Sequence, residues 1–283
     1  MQLVIQQCYN KILNRDPDTD GLETYLSFLL KRPSSDLHKI LKSSDEYILR
    51  IKPKKFINVF MCVRNNGEDI PKTFQVLEDI RRSDKNHEYR YFIFENDSTD
   101  NTVELCEEFI AKNHGVFVSD TLNKTQWGDV KELGRVTDMA IYRNKCKALC
   151  TDAELIDSSY CVLLDTKVTF KKDIFEKCMI TLSDNTITMV TPFGKVGKRN
   201  VYYDTFALEF KSNSRHKYVK VNTGIIDVTS ACGGVFMIRN EAFMASTWGA
   251  VDKNRSEHNA FCYTAGNFGR IVIDTSIHAE WVK

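Results

Sequence analysis

From Phe56 onward the sequence alternates between short apolar runs and amphipathic segments, which restricts the possible folds to a few. Residues 56–63 form an apolar run of strand character, and residues 89–94 form a second. Polar strings, residues 64–67 and 95–102, end the two runs, and each leads into a segment with apolar residues at helical spacing. Strand, loop and helix repeated in this order predict a doubly wound α/β fold with a mostly parallel central sheet.

The bulk composition argues against several functional classes. The formal net charge of +1 gives no electrostatic reason to expect a nucleic-acid partner. No apolar run reaches the roughly 20 residues of a transmembrane helix, and the N-terminal residues lack the pattern of a secretory signal. The nine cysteines form no C-x-x-C pair and are odd in number, so we expect reduced thiols in a cytoplasmic protein.

The first fifty residues differ from the rest in having helical periodicity throughout. Their pattern, which includes Tyr9 and Gly21, resembles a small helical module that is often appended to bacterial glycosyltransferases and surface proteins. We therefore expect a small all-α domain over residues 1–52, a linker around Lys52–Lys55, and a larger domain over residues 56–283.

Polar residues at the ends of three predicted strands mark a candidate ligand site. A third apolar run ends in Asp165. The carboxyl ends of parallel strands meet at one edge of a sheet, and ligands of open α/β sheets bind there. Arg64 is suited to a diphosphate or a base, and Asp97 to a ribose or a base imide. The predicted nucleotide-binding residues of these loops are Arg64, Asn65, Glu95, Asp97 and Asp165.

In combination, Arg64-Asn65-Asn66, the polar string 95–102 and Asp165 resemble glycosyltransferases of the GT-A fold. The pattern is similar to the fungal capsule-associated mannosyltransferase group and to the broad inverting family of cellulose and chitin synthases. It covers roughly residues 56–283. The resemblance implies a Rossmann-like GT-A domain and a hexosyl- or pentosyltransferase. Its donor would be a UDP- or GDP-sugar, and its acceptor a hydroxyl of a carbohydrate or glycoconjugate.

The resemblance extends to a segment that precedes the third strand, residues 135–144. In the mannosyltransferase group a similar segment lines the donor pocket, so Arg135 and Arg143 are expected to bind the diphosphate. A guanidinium group can bind phosphate oxygens through two parallel hydrogen bonds.

Three later segments resemble the acceptor side of such enzymes. In Tyr202-Tyr203-Asp204 the carboxylate would bind a sugar hydroxyl, and Gly233 would let the backbone approach the donor sugar closely. Glu257 and His258 lie where inverting relatives carry the acid that deprotonates the acceptor. Either side chain is a candidate general base.

The sequence Asp165-Thr166-Lys167 departs from the D-x-D pattern of the family, whose second acid usually holds a metal ion. One interpretation keeps Mn²⁺ or Mg²⁺ on Asp165, with help from His278 or water. In another, the Lys167 ammonium replaces the metal beside the phosphates. In a third, Lys167 simply points to solvent. The sequence-based expectation is a metal held by Asp165.

Two other functions compete with sugar transfer. A degenerate glycosyltransferase that only binds nucleotide or glycan would account for Lys167. A nucleotidyltransferase would share the sheet and the acidic strand, but no segment resembles the glycine-rich triphosphate loop of that family. Retention and inversion both stay open, because the mannosyltransferases resemble retaining enzymes whereas Glu257 as a base implies inversion.

Overall fold

The structure is a computed structural model. It describes residues 1–13, 16–31, 34–44, 56–124, 127, 132–197, 201–212, 218–252 and 254–282. The chain divides into two compact units, Met1–Lys54 and Lys55–Lys283. Each unit has its own hydrophobic core.

The first unit contains three helices, α1 (Gln2–Leu13), α2 (Thr19–Leu29) and α3 (Ser34–Ser43). The Asp18 carboxylate caps α2 by accepting a hydrogen bond from the Gly21 N–H at 2.7 Å. The core of the unit comes from α1 and α3 and consists of Ile5, Cys8, Tyr9, Leu13, Leu37 and Leu41. The rest of the predicted helical region, residues 45–52, and the predicted linker lie outside the described residues.

The second unit consists of ten strands and seven helices in its described residues. The strands are β1 (Phe56–Val63), β2 (Glu88–Asn96), β3 (Gly115–Asp120), β4 (Ser158–Leu164), β5 (Val168–Phe170), β6 (Ile187–Lys195), β7 (Glu209–Phe210), β8 (Ile225–Ser230), β9 (Val235–Arg239) and β10 (Arg270–Trp281). The helices are α4 (Ile70–Ser83), α5 (Thr102–Ala111), α6 (Leu133–Ala148), α7 (Asp152–Ile156), α8 (Ile174–Leu182), α9 (Asn240–Ala245) and α10 (Glu257–Ala265). A short 3₁₀ helix, Gly266–Phe268, precedes β10.

The strands form one sheet with the order β3-β2-β1-β4-β9-β6-β10-β8-β7, and β5 pairs with β10. The first four strands in this order are parallel to one another, as the alternation of strands and helices predicted. Beyond them the sheet is mixed, because β9 runs antiparallel to both β4 and β6. The predicted α/β class is thereby confirmed, with an antiparallel strand added at its centre.

Successive residues of a strand face opposite sides of the sheet, so each face has its own core. Phe60 of β1 and Leu163 of β4 pack with α6, α9 and α10. Val59 and Val162, one position earlier in each strand, pack with α4, α5 and α8 on the other face. Because helices cover both faces of the sheet, a ligand can reach it at the carboxyl ends of the strands.

All nine cysteines are free thiols, and eight of them are buried. Cys146 and Cys161 illustrate their role, since both lie in the core that α6 covers. Among the described helices, none combines the length and apolar character that crossing a membrane requires.

Candidate active site

A cavity of about 280 Å³ opens at the carboxyl ends of β1 and β4. Among the described residues, four cationic side chains and a single carboxylate line it. They are Arg64, Arg135, Arg143, Lys167 and Asp165. Arg64 and Asp165 directly follow strands, and Arg135 and Arg143 lie on α6. With four cations and one carboxylate, the charged side chains that line the cavity are positive overall. A phosphate-bearing ligand fits such a charge better than a neutral or cationic one does.

Arg143 of α6 is the buried centre of the site, with only 4% of its surface exposed. Its Nε donates to Glu257 Oε1 at 3.0 Å, and its Nη1 and Nη2 each lie 3.3 Å from Asp165 Oδ1. Burial alone would lower the pKa of Arg143, but Asp165 and Glu257 outweigh it and raise that pKa well above the ordinary value. The guanidinium thus fixes two carboxylates that come from distant parts of the chain.

His258 supports this arrangement from behind as a neutral ring. Burial, together with the charge of Arg143, lowers the pKa of His258 to about 3. Trp248 Nε1 donates to His258 Nδ1 at 3.3 Å, which leaves the ring proton on Nε2, 3.4 Å from Glu257 Oε1. Although burial opposes it, the charge and the hydrogen bond of Arg143 lower the pKa of Glu257, so that carboxylate is ionised.

Glu257 and His258 are both buried and do not belong to the cavity wall. Glu257 Oε1 accepts from Arg143 and lies beside His258 Nε2, and His258 Nδ1 accepts from Trp248. Their geometry favours positioning of Arg143, and the sequence-based role of general base stays a prediction.

Asp204 is half-buried beside the paired glycines, and neither Asp204 nor Gly233 is part of the cavity wall. Its Oδ2 accepts from the Gly233 N–H at 3.2 Å, and its Oδ1 accepts from the Ala207 N–H at 3.4 Å. Burial raises the pKa of Asp204 to about 6 although the two N–H donors lower it, and the charges of Asp165 and Glu257 add smaller contributions to the rise. The carboxyl therefore changes charge close to neutral pH, as a proton acceptor for chemistry requires.

Gly233 has a φ of +66°, in the left-handed region that favours glycine. A Cβ at this position would lie 2.8 Å from the Tyr202 hydroxyl and 3.2 Å from the Pro192 carbonyl oxygen. The glycine is needed for its conformation and for its space, and through its N–H it holds Asp204.

Asp97, in the loop after β2, forms its hydrogen bonds within the protein. Asp97, at a φ of 54°, accepts hydrogen bonds from the backbone N–H groups of Leu122, Asn123 and Lys124 at 2.8, 2.8 and 3.1 Å. Burial opposes ionisation, but these bonds and one from Asn96 lower the pKa of Asp97 to about 2. Its carboxylate is therefore fully engaged and does not line the cavity.

Glu95 and Asn65 form hydrogen bonds in the loops that follow β1 and β2. Glu95 is buried and accepts from the Ser98 N–H at 2.7 Å. Asn65 accepts from the Thr99 N–H at 2.8 Å, and its own N–H donates to Ser98 Oγ at 2.9 Å. Asn65 thus joins the loop after β1 to the loop after β2, Glu95 holds the loop after β2, and neither residue lines the cavity.

Arg64 does reach the cavity. Its Nη2 donates to the Lys124 carbonyl oxygen at 2.9 Å, and its Nη1 lies 4.0 Å from Asp97 Oδ2. The buried Nε has no hydrogen-bond partner among the described residues. Arg64 is thus held by the loop that Asp97 organises, with its side chain at the cavity wall.

The predicted metal ligands do not come together as a metal site. Asp165 lies in the cavity with its Oδ1 bound to Arg143. His278 is exposed, its Nε2 lies 3.1 Å from the Thr275 carbonyl oxygen, and it is not part of the cavity wall. No group of three or more His, Cys, Asp or Glu side chains among the described residues could hold a metal ion. A hard cation prefers several oxygen ligands, and this donor set does not fit one.

Two tryptophans, Trp127 and Trp281, also line the cavity, although the sequence gave no reason to select them. Trp127 Nε1 donates to Asp138 Oδ2 at 3.0 Å. Trp281 ends β10, and its buried Nε1 has no hydrogen-bond partner among the described residues. Asn66 and Asn96 also line the cavity. Each asparagine adjoins a residue that the sequence analysis placed in the site, so its position after a strand could have identified it. The two tryptophans reach the cavity only through tertiary folding, which no local pattern indicates.

The sheet order, the helices on both faces and the cavity at the strand ends define a GT-A type α/β fold. No protein-family model and no curated relative matches this sequence.

Among solved structures, the fold is similar to that of S. aureus TarS. The crystal structure of TarS 1–349 matches with a TM-score of 0.54 and 14% sequence identity, over 81% of this chain and 60% of that one. The complex of TarS 1–349 with UDP-GlcNAc matches with a TM-score of 0.53 and 14% identity, over 81% and 59%. The complex with UDP matches with a TM-score of 0.53 and 14% identity, over 80% and 60%. This chain thus spans about 60% of the length of the TarS fragment, and the likeness concerns the fold.

Proposed function

We propose that this chain is a glycosyltransferase that takes a sugar from a nucleoside diphosphate sugar. The observation that carries the proposal is the cation-lined cavity at the carboxyl ends of β1 and β4. Its charge suits a diphosphate, and the edge of the sheet is where α/β folds bind nucleotides. The likeness to the TarS glycosyltransferase fold, in structures that contain UDP-GlcNAc and UDP, supports the same class of ligand.

Uridine diphosphate is the nucleotide we favour, because UDP is the nucleotide of both liganded neighbours. Those neighbours give no support to the mannosyltransferase group, which the sequence pattern suggested. In this proposal, Arg64, Arg135 and Arg143 bind the diphosphate. Asp165 Oδ2 accepts no hydrogen bond from a described residue and is available to a sugar hydroxyl.

The transfer step uses a hydroxyl of a carbohydrate acceptor. The hydroxyl oxygen forms a bond to the anomeric carbon of the donor sugar. The bond from that carbon to the β-phosphate oxygen breaks, and UDP leaves with the electron pair, which the cations stabilise. Asp204 lies outside the cavity wall but close enough to Asp165 to feel its charge, and we propose it as the acceptor of the hydroxyl proton, since its pKa of about 6 leaves it ionised at neutral pH. Glu257 is less suited, because Arg143 and His258 already engage it.

The test is a screen of UDP-GlcNAc, UDP-glucose, UDP-galactose and GDP-mannose with carbohydrate acceptors, read by release of the nucleoside diphosphate. We expect turnover with a UDP-sugar, and Arg143→Lys should abolish it. If Asp204 is the base, the rate rises with pH through about 6, and Asp204→Asn removes that rise. Absence of turnover with all four donors, together with absence of UDP binding, would refute the proposal.

A second candidate is a glycosyltransferase fold that binds a nucleotide or a glycan without transferring sugar. It is favoured by the burial of Glu257 and His258 behind Arg143, which removes the base that the resemblance implied. Binding of UDP without turnover of any donor in the same screen would favour this function over transfer.

A further inference from the structure

The turn that carries Lys167 is fixed by its backbone on both sides. The Asp165 N–H donates to the Gly234 carbonyl oxygen at 2.8 Å, and the Val282 N–H donates to the Lys167 carbonyl oxygen at 2.9 Å. Between them, the Thr166 carbonyl oxygen accepts from Thr73 Oγ1 at 3.2 Å. The Lys167 side chain is nevertheless exposed and lines the cavity. The chain thus presents an ammonium group from a rigid turn.

The charge of Lys167 has no partner in the part of the chain that the structure describes. Arg143 is engaged by two carboxylates, and Arg64 lies 4.0 Å from Asp97. By contrast, no described carboxylate forms an ion pair with Lys167. Such a cation inside an open cavity is available to an anionic ligand.

A divalent metal ion fits the same position poorly. Asp165 would be its carboxylate ligand from this turn, and Arg143 already occupies Oδ1 of that carboxylate. A dication would also be repelled by the Lys167 ammonium, two residues further along the turn. A metal ion and the Lys167 ammonium would each neutralise the charge of a diphosphate, and the presence of one disfavours the other.

We infer that Lys167 takes the place of the metal ion, so that this chain binds the diphosphate of its nucleotide without a divalent cation. The inference rests on the proposed function and concerns the same cavity. The Lys167 ammonium contacts the phosphate oxygens as a compact point charge. Arg143, at 3.3 Å from Asp165 Oδ1, partly neutralises the carboxylate charge that would attract a metal ion.

The experiment is isothermal titration calorimetry of UDP into the complete chain, in EDTA and then in Mn²⁺. For the natural chain we expect the same Kd in both buffers. Lys167→Met should weaken binding by about tenfold or more in both, which is the effect of removing a charge-assisted hydrogen bond. Lys171→Met is the matched control, because Lys171 is exposed but does not line the cavity. It should leave the Kd unchanged.

Lys167→Asp is the decisive variant, because it recreates the acid that a metal needs. We expect this variant to bind UDP weakly in EDTA and more tightly in Mn²⁺. The natural chain, by contrast, should have the same Kd in both buffers. Binding by the natural chain in Mn²⁺ but not in EDTA would overturn the inference and leave the proposed function standing. Unchanged affinity in Lys167→Met would also overturn it. Absence of UDP binding in both buffers would instead contradict the proposed function.

Discussion

Arg143 and Lys167 are two cations of one cavity, and they differ in their burial and in their hydrogen-bond partners. Arg143 is 4% exposed and hydrogen-bonded to Glu257 and Asp165, whereas Lys167 is exposed and pairs with no described carboxylate. A charge that is satisfied by the protein maintains geometry, and a charge that is not satisfied can act on a ligand. The comparison predicts that removing Arg143 lowers stability as well as ligand binding, whereas removing Lys167 weakens binding alone.

The largest expected effect comes from Arg143→Met. It leaves the buried Glu257 carboxylate without its guanidinium partner, and breaking a buried pair typically costs about 3 to 5 kcal/mol. We expect the free energy of unfolding in urea to fall by that amount. Arg82→Met is the control, because Arg82 is 61% exposed and pairs with Glu78 on the surface. A loss for Arg143→Met as small as the control's would show that Arg143 is not the centre of the site.

A second, smaller loss is expected from Gly233→Ala on the acceptor side. The added methyl group combines a φ of +66° with close approaches to Tyr202 and Pro192, for a cost of about 2 kcal/mol. Gly197→Ala provides the control, because Gly197 has a φ of +54° but no atom within 4 Å of the added Cβ. Equal losses in the two variants would mean that the packing around Gly233 contributes nothing.

Asp97 tests whether the loop after β2 belongs with the fixed part of the site. Its folded pKa of about 2 lies below the ordinary value of about 3.9. Its contribution to stability is therefore complete above about pH 4 and decreases as the pH falls towards 2. We expect Asp97→Asn to lose about 1 kcal/mol at pH 7 and less at pH 3, by urea unfolding. A difference that does not depend on pH would argue against the charged hydrogen bonds.

The smallest effect on stability is expected from Lys167→Met. An exposed side chain without a partner changes the free energy of unfolding by less than about 0.5 kcal/mol. Melting curves of the variant and of Lys171→Met should coincide with that of the natural chain. A destabilised Lys167→Met would place this lysine with Arg143 among the structural charges, and the comparison would fail.

The parallel half of the sheet could be predicted from local patterns. The runs that became β1, β2 and β4 are apolar throughout, and polar strings end them. The insertion of β9 between β4 and β6 could not be predicted in this way. It depends on pairing residues such as Val162 with Met237, which are far apart in the sequence. Periodicity carries no information about such partners.

Part of the candidate site could likewise be predicted from the sequence, and part could not. Arg64, Arg143, Asp165 and Lys167 line one cavity, and the strand ends and the motif resemblance were sufficient to select them. Asp97 was expected to face a nucleotide, but its hydrogen bonds go to backbone N–H groups 25 to 27 residues later. No local pattern reveals which distant loop will engage a carboxylate. The same holds for Glu257, whose partner Arg143 lies 114 residues away.

The central claim is that the cations of this cavity bind a nucleoside diphosphate. The most direct measurement compares UDP with uridine by isothermal titration calorimetry at low and high salt. We expect UDP to bind at least about a hundredfold more tightly than uridine, since more than one charge-assisted hydrogen bond reaches the diphosphate. The advantage should shrink as salt screens the charges. Equal affinity for UDP and uridine, or binding of neither, would contradict the claim.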